Sequence, residues 1–182
     1  MTIYFYGDKN TYGEFSNFYP CEFSIRARDV FSDNDESLDA ELLDKTISVY
    51  TSEQAIMWMK AVLMNDGETA SSIEYEKSPK ECKLLGRNVS PFDNNKWELW
   101  RQKIAEYVLT RKFTSSKQSK QLSSVLQSTE SHVLAEAAGN DRIWGIGIDK
   151  QKALKDANWR GENILGKALM TVRDKLNNPD SN

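Results

Sequence analysis

The first fifty residues place hydrophobic side chains in short runs of β type, ended by turn residues. In the run 22–30, apolar residues occupy every second position from Phe23 to Ala27, which is the period of a half-buried strand. The runs 3–6 and 46–50 have similar character. The pattern therefore predicts three short strands that form one small antiparallel sheet.

After residue 50 the hydrophobic spacing becomes helical. Three capping residues mark predicted helix starts: Thr51, which opens a capping box, Ser78, which precedes a proline, and Asp93, which precedes a long amphipathic stretch. Two more helices are predicted over 117–127 and from about 161 to 176. Helices thus dominate the second part of the chain.

Strands followed by helices predict an α+β fold that is rich in helix. No repeat or linker interrupts the 182 residues, so we expect a single domain over 1–176 and a flexible tail over 177–182. Residues 29–44 hold seven acidic side chains and no basic one. We interpret this acidic stretch as a solvated loop or an insertion between strands, which leaves the rest of the chain mildly basic.

Composition excludes several classes of protein. Hydrophobic residues make up 39% and charged residues 28%, as in globular domains. No apolar run reaches the roughly 20 residues that cross a bilayer, and the first residues lack the features of a secretion signal. Two cysteines without zinc-ligand spacing favour a reducing, cytoplasmic setting. The single histidine, His132, excludes His-rich metal sites, and we expect neither a metal nor a cofactor.

The segment 53–64 carries the most informative pattern, because it is apolar on nearly all sides and so predicts a helix buried on most faces. Its only charged residues are Glu53 and Lys60. Seven residues correspond to about 700° of helical rotation and about 10 Å of rise, so both side chains leave the same face. That distance is too long for an ordinary ion pair but wide enough for a sugar.

A lysine amine set among Ile56, Met57 and Met64 would be partly desolvated, and desolvation lowers the pKa of a lysine. A neutral amine is a nucleophile toward the anomeric carbon of a sugar and can form a Schiff base. Glu53 lies at the positive end of the helix and could bind ribose hydroxyls or move a proton. The alternative stays open: Lys60 extends to the surface and Glu53 only complements the helix dipole.

Two loops contain residues suited to a flat ligand. Trp144 lies beside Gly145 and Gly147, where an indole could stack on a base and the backbone could approach a ligand closely. Near the N-terminus, Asn17 lies among aromatic residues that include Phe18. Its amide could read a base edge or a ribose, and could equally cap a turn.

Six blocks of the chain, in this order, resemble the NADAR family of YbiA-like proteins. The blocks are YGEFSNF (12–18), YTSEQ (50–54) followed by Lys60, LGR (85–87), Trp97, the segment from Asn140-Asp141 to WGIG (140–147), and WRGENILGKALM (159–170). The resemblance covers nearly the whole chain except the acidic stretch and the tail. It implies a YbiA-like α+β fold and hydrolysis of C–N glycosidic bonds to ribose.

The resemblance also implies roles for individual residues. Lys60 and Glu53 match the catalytic pair, with the lysine as the candidate for a Schiff-base intermediate. The expected substrate-binding residues are Asn17, Phe18, Trp97, Asp141, Trp144, Gly145, Arg160 and Asn163. The chain departs from many relatives after the glutamate, where they carry His or Tyr and Phe and it carries Gln54, Ala55 and Ile56.

One branch of the family resembles enzymes that cleave ribosylaminopyrimidine phosphates, which are early intermediates of riboflavin synthesis. Another resembles enzymes that remove ADP-ribose from guanine in nucleic acid. We therefore predict an N-glycosyl hydrolase whose partner is a ribosylated nucleobase or ADP-ribosylated nucleic acid, with no membrane involved. The alternatives are a non-catalytic module that binds ADP-ribose or NAD, and an interaction protein that uses the acidic stretch; the sequence assigns no oligomeric state.

Overall fold

The computed structural model describes residues 1–31, 37–156 and 158–179. These residues form four short strands and eight α-helices, which confirms the helix-rich α+β class. The strands are β1 (Thr2–Phe5), β2 (Phe23–Arg26), β3 (Thr46–Val49) and β4 (Val133–Glu136). The helices are α1 (Ala40–Asp44), α2 (Ser52–Leu63), α3 (Gly67–Tyr75), α4 (Pro79–Arg87), α5 (Asn94–Ser115), α6 (Ser119–Gln127), α7 (Lys150–Lys155) and α8 (Ile164–Asn177).

The chain divides into two compact units. The continuous unit is Pro20–Gln118, and the discontinuous unit joins Met1–Tyr19 to Ser119–Asn182. Each unit contains one sheet of two strands and its own set of helices. Among the helices described, none is long and apolar enough to cross a membrane.

The continuous unit is built around α2, which packs against α3, α4 and α5. Eleven of its twelve residues are buried, and Lys60 is the exception. This confirms the helix buried on most faces that its apolar sequence predicts. Strands β2 and β3 pair in antiparallel register, with Ile25 opposite Ile47, as expected from their alternation.

Each predicted cap in the continuous unit is confirmed, since its side-chain oxygen accepts a hydrogen bond from a backbone N–H of the first helical turn. These caps are Thr51 for α2, Ser78 for α4 and Asp93 for α5. Helix α3 was not expected, because its polar sequence buries only Ala70 and Ile73 and shows little periodicity. Asp66 caps it by accepting from Thr69 N at 3.0 Å.

The described part of the acidic stretch 29–44 lies between β2 and β3, as the interpretation as an insertion between strands expects, and it is not entirely a loop. Residues 40–44 form α1, and the Asp39 carboxylate caps this helix by accepting from two backbone N–H groups. Leu38 and Leu43 are buried, which anchors the segment. Residues 32–36 of the stretch, and 180–182 of the expected tail, lie outside the described residues.

In the discontinuous unit, β1 pairs in parallel with β4, and Tyr4 lies opposite Ala135. The expectation of one sheet of three strands was therefore wrong: β1 joins a partner that the sequence did not suggest. A parallel pair needs a long crossover connection, so its partner is not signalled by neighbouring residues. Helix α8 packs against β4 and α6.

Helix α8 begins at Ile164, three residues later than the hydrophobic pattern predicts. The preceding residues donate their backbone N–H groups to the carbonyls of the 142–146 turn: Arg160 to Ile146 at 2.9 Å and Asn163 to Gly145 at 3.1 Å. Asn163 has a left-handed backbone, with φ of 56°. These long-range hydrogen bonds hold 160–163 out of the helix.

Candidate functional site

Lys60 lies near the end of α2 in the continuous unit, and its side chain is half-buried. Its Nζ donates a hydrogen bond of 2.6 Å to the carbonyl oxygen of Gly86 on α4. The same atom lies 4.5 Å from the ring centroid of Phe92 and 5.5 Å from that of Trp97. In the part of the chain that the structure describes, no carboxylate pairs with this amine.

Burial lowers the pKa of Lys60 below its ordinary value of 10.5, and no other cause contributes. A carboxylate partner would raise the pKa by stabilising the ammonium form, whereas a carbonyl and two aromatic rings hold the amine without adding a negative charge. Burial without a carboxylate partner therefore increases the fraction of neutral, nucleophilic amine at a given pH.

Gly86 is required where α4 packs against α2. A Cβ at this position would overlap the Sδ of Met57 and lie 2.7 Å from its Cγ. Because glycine lets the two helices approach so closely, the backbone carbonyl of α4 reaches the lysine amine.

Phe92 lies in the loop between α4 and α5, and the loop is held on both sides of it. Ser90 N donates to the Asp66 carboxylate at 2.9 Å, and Asp93 N donates to Met64 Sδ at 3.4 Å. Both anchors follow the end of α2, so the loop carries the Phe92 ring over Lys60. The ring remains 45% exposed.

Sequence reasoning did not identify Phe92, although one signal was available. Phe92 precedes the cap Asp93, and Trp97 lies four residues after that cap. These are the N′ and N4 positions of a hydrophobic staple, which brings two apolar side chains together at a helix start. The staple pattern would have placed Phe92 beside a residue already proposed for the site.

Glu53 lies in the first turn of α2, and it is 6% exposed. Burial, then the charges of Glu76 and Glu53, raise the pKa of the Cys82 thiol on α4 to about 12. Glu53 thus acts on Cys82, and Lys60 bonds to Gly86 four residues further along α4. That both side chains leave one face of α2 stays a prediction.

Neither cysteine has the exposure that a nucleophilic thiol needs. Cys21 and Cys82 are both buried and free, and a thiol with a pKa near 12 stays protonated at neutral pH. His132 is half-buried, and its Nδ1 donates to the carbonyl of Thr129 at 2.8 Å. Across the described ranges, no group of three or more His, Cys, Asp or Glu is arranged to hold a metal ion.

The discontinuous unit contains the other predicted site residues. Asp141 Oδ1 accepts hydrogen bonds from Ile143 N at 3.0 Å and Trp144 N at 2.8 Å, and this turn fixes the half-buried Trp144. A Cβ on Gly145 would lie 2.9 Å from Ala138 Cβ. The sequence suggested that the missing side chain at Gly145 lets a ligand approach the backbone closely. In the structure, the missing side chain allows close packing against Ala138.

Two asparagines predicted as ligand contacts differ in their surroundings. The side chain of Asn163 bridges β4: its Nδ2 donates to Leu134 O at 2.9 Å and its Oδ1 accepts from Glu136 N at 3.1 Å. The side chain of Asn17 is 7% exposed, and its buried Oδ1 has no hydrogen-bond partner among the described residues. The side chain of Asn163 therefore stabilises the fold, whereas the side-chain oxygen of Asn17 could accept a hydrogen bond from a ligand.

The predicted site residues are therefore distributed over the two units. Glu53, Lys60 and Trp97 belong to the continuous unit, and the structure brings Lys60 and Trp97 together. The discontinuous unit holds Asn17, Phe18, Asp141, Trp144, Gly145, Arg160 and Asn163. Within it, Phe18 N donates to Ser16 Oγ at 3.1 Å, and the side chain of Arg160 is exposed.

Comparison with known proteins shows which family and which solved structure this chain is similar to. The NADAR domain family model matches residues 4–177. The protein irg-1 of Caenorhabditis elegans is 36% identical over 164 residues, which cover 89% of this chain and 74% of that protein. An N-glycosidase of Acanthamoeba polyphaga mimivirus is 31% identical over 180 residues, which cover 95% of both proteins. The NMR structure of the E. coli protein YbiA is similar, with a TM-score of 0.68 and 26% identity over 97% of this chain and 87% of that chain.

Proposed function

This chain belongs to the NADAR family, and from that premise we propose that it is an N-glycosidase. It hydrolyses the C–N bond between a phosphorylated or ADP-linked ribose and a nucleobase-like amine. The observation that carries this proposal is the amine of Lys60, half-buried and held by a carbonyl and two aromatic rings. Relatives named N-glycosidases support the class of reaction.

In the proposed reaction, the neutral Lys60 amine attacks C1 of the ribose. The bond from C1 to the base nitrogen breaks, its electron pair stays on that nitrogen, and Glu53 transfers the proton lost by the amine to it. The lysine nitrogen then forms a C=N bond as the bond from C1 to the ring oxygen breaks, and that oxygen takes a proton from a water molecule. The hydroxide left from this water adds to C1 of the iminium. The proton of the new hydroxyl group moves to the lysine nitrogen as the C–N bond breaks, which releases the free sugar and the neutral amine.

For the substrate we propose two candidates that fit this chemistry: a ribosylaminopyrimidine phosphate, or guanine in nucleic acid that carries ADP-ribose. Both present a flat base and a phosphate-bearing ribose. In the discontinuous unit, Trp144 offers an indole for stacking, Asn17 offers an acceptor for a base edge or ribose hydroxyl, and Arg160 offers an exposed guanidinium for phosphate. Phe18, Asp141, Gly145 and Asn163 remain proposed neighbours of the ligand.

The test is cleavage of each substrate, followed by borohydride reduction to trap the iminium on the enzyme. We expect release of the free base and a covalent adduct at Lys60, and both should disappear in Lys60→Met. Lys103→Met is the matched control, because the Nζ of Lys103 also lies over a tryptophan ring, 4.8 Å from Trp100, but its side chain is exposed. The control should cleave and trap as the wild type does.

Two results would overturn the proposal. Undiminished turnover in Lys60→Met would remove the lysine from the mechanism. Binding of ADP-ribose without turnover of either substrate would instead favour the non-catalytic binding module.

A further inference from the structure

We propose that Phe92 is a positioning residue that holds the amine of Lys60 beneath its ring and stabilises the cationic iminium formed on that amine. This inference rests on the proposed function and extends it to a residue outside the predicted site. A ring face within about 6 Å of a cation attracts it electrostatically. Phe92 meets that condition, with its centroid 4.5 Å from Nζ, nearer than Trp97 at 5.5 Å.

The position of the ring is built into the fold. The N–H groups of Ser90 and Asp93, on either side of Phe92, donate to Asp66 and Met64, which follow the end of α2. Val89 is buried and fixes the start of the same loop. Phe92 is 45% exposed and occupies the N′ position at the start of α5, so the loop that begins this helix also sets the ring over the amine.

The contact favours the charged form of the lysine nitrogen, whereas burial opposes it. The iminium is positively charged at the same nitrogen but exists only during the reaction, so the ring stabilises the intermediate more than the neutral resting amine. The charged side chains on the elements around Lys60 include Glu53 on α2, Arg87 on α4, and Asp93 and Arg101 at α5. Among the described residues, none of these groups forms an ion pair with the amine.

The experiment uses ribose 5-phosphate as an aldehyde probe, since it condenses with an amine without any glycosidic cleavage. Condensation forms the C=N bond and releases water, and cyanoborohydride supplies the hydride that fixes the adduct. Intact mass and peptide mapping give the amount trapped at Lys60 across a pH series. The proteins compared are wild type, Phe92→Leu, Phe92→Trp and the control Tyr75→Leu, which replaces an aromatic ring that is 78% exposed.

Phe92→Leu should lower the trapped adduct about threefold and move the midpoint of its pH profile about half a unit lower, because the cation loses the ring. Phe92→Trp should restore both values, and Tyr75→Leu should change neither. A merely structural role would loosen the loop, hydrate the amine and move the midpoint upward. That upward shift, or no change in Phe92→Leu, overturns the inference.

The two proposals fail separately. If wild type and Phe92 variants trap the probe as expected but no N-glycoside is cleaved, the proposed function fails and the role of Phe92 stands. If N-glycosides are cleaved but Lys60 is never trapped, or is trapped equally in Phe92→Leu, the role of Phe92 fails and the glycosidase proposal stands on turnover.

Discussion

The carbonyl oxygen of Gly86 accepts a hydrogen bond of 2.6 Å from Nζ of Lys60, a residue 26 positions earlier in the chain. The bond depends on close packing between α2 and α4, which only glycine permits at position 86 because Met57 occupies the adjacent space. Helix packing and the orientation of the amine are therefore set by the same residue.

Gly86→Ala should lower the free energy of unfolding by about 1–3 kcal/mol, because the new methyl group overlaps Met57 in a filled core. Denaturant titration measures this loss. Gly67→Ala is the matched control: its Cβ would meet only Leu42 Cδ1, at 3.8 Å, so stability should stay the same or rise slightly.

A double-mutant cycle identifies the cause of the Gly86→Ala effect. Met57→Ala removes the obstructing side chain, so the double variant should be less destabilised than the sum of the two single variants. Strictly additive losses would show that contact with Met57 is not the source.

The rate of amine-dependent turnover should rise with pH toward a midpoint below 10.5, since burial lowers the pKa of Lys60 and the neutral amine reacts. Between the lowered pKa of Lys60 in the folded protein and its ordinary pKa of 10.5, the unfolded chain binds more protons than the folded one. The contribution of Lys60 to the free energy of unfolding therefore increases as pH rises through that range. Because burial is the cause, raising ionic strength from about 0.05 to 0.5 M should leave the midpoint in place. A midpoint that moves with salt would indicate a charged partner.

Glu53→Gln should reduce kcat by about 10²–10⁴-fold if the carboxylate transfers the proton to the leaving base, since the amide keeps the size but has no titratable proton. Trapping of ribose 5-phosphate at Lys60 should persist, because that reaction has no leaving base. Glu81→Gln is the control, a first-turn glutamate of α4 that is exposed. Equal kcat in Glu53→Gln and wild type would contradict the role.

Asparagine-to-alanine substitutions at 17 and 163 should have opposite effects. Asn163→Ala leaves the backbone groups of Leu134 and Glu136 without their side-chain partners and should lower the free energy of unfolding by about 2 kcal/mol or more. Asn17→Ala removes a buried acceptor that has no partner among the described residues, so stability should hold or rise while KM increases. Thermal unfolding and steady-state kinetics on both variants separate the two cases.

Features that arise within one or two helical turns could be predicted from the amino-acid sequence. The caps Thr51, Ser78 and Asp93 are read from adjacent residues, because a capping side chain bonds to a backbone group three positions away. The burial of α2 around a single lysine follows from its composition. The six family blocks, read in order, gave the family to which the chain belongs.

Tertiary structure alone decided which distant groups meet. The ring of Phe92 lies over Lys60, β1 pairs in parallel with β4, and the 142–146 turn delays the start of α8. Folding also brings the side chain of Asn163 to its backbone hydrogen-bond partners on β4. Each of these contacts depends on chain segments that packing brings together. The local pattern of hydrophobic residues does not specify which distant group will accept or donate a hydrogen bond, because many distant groups could do so.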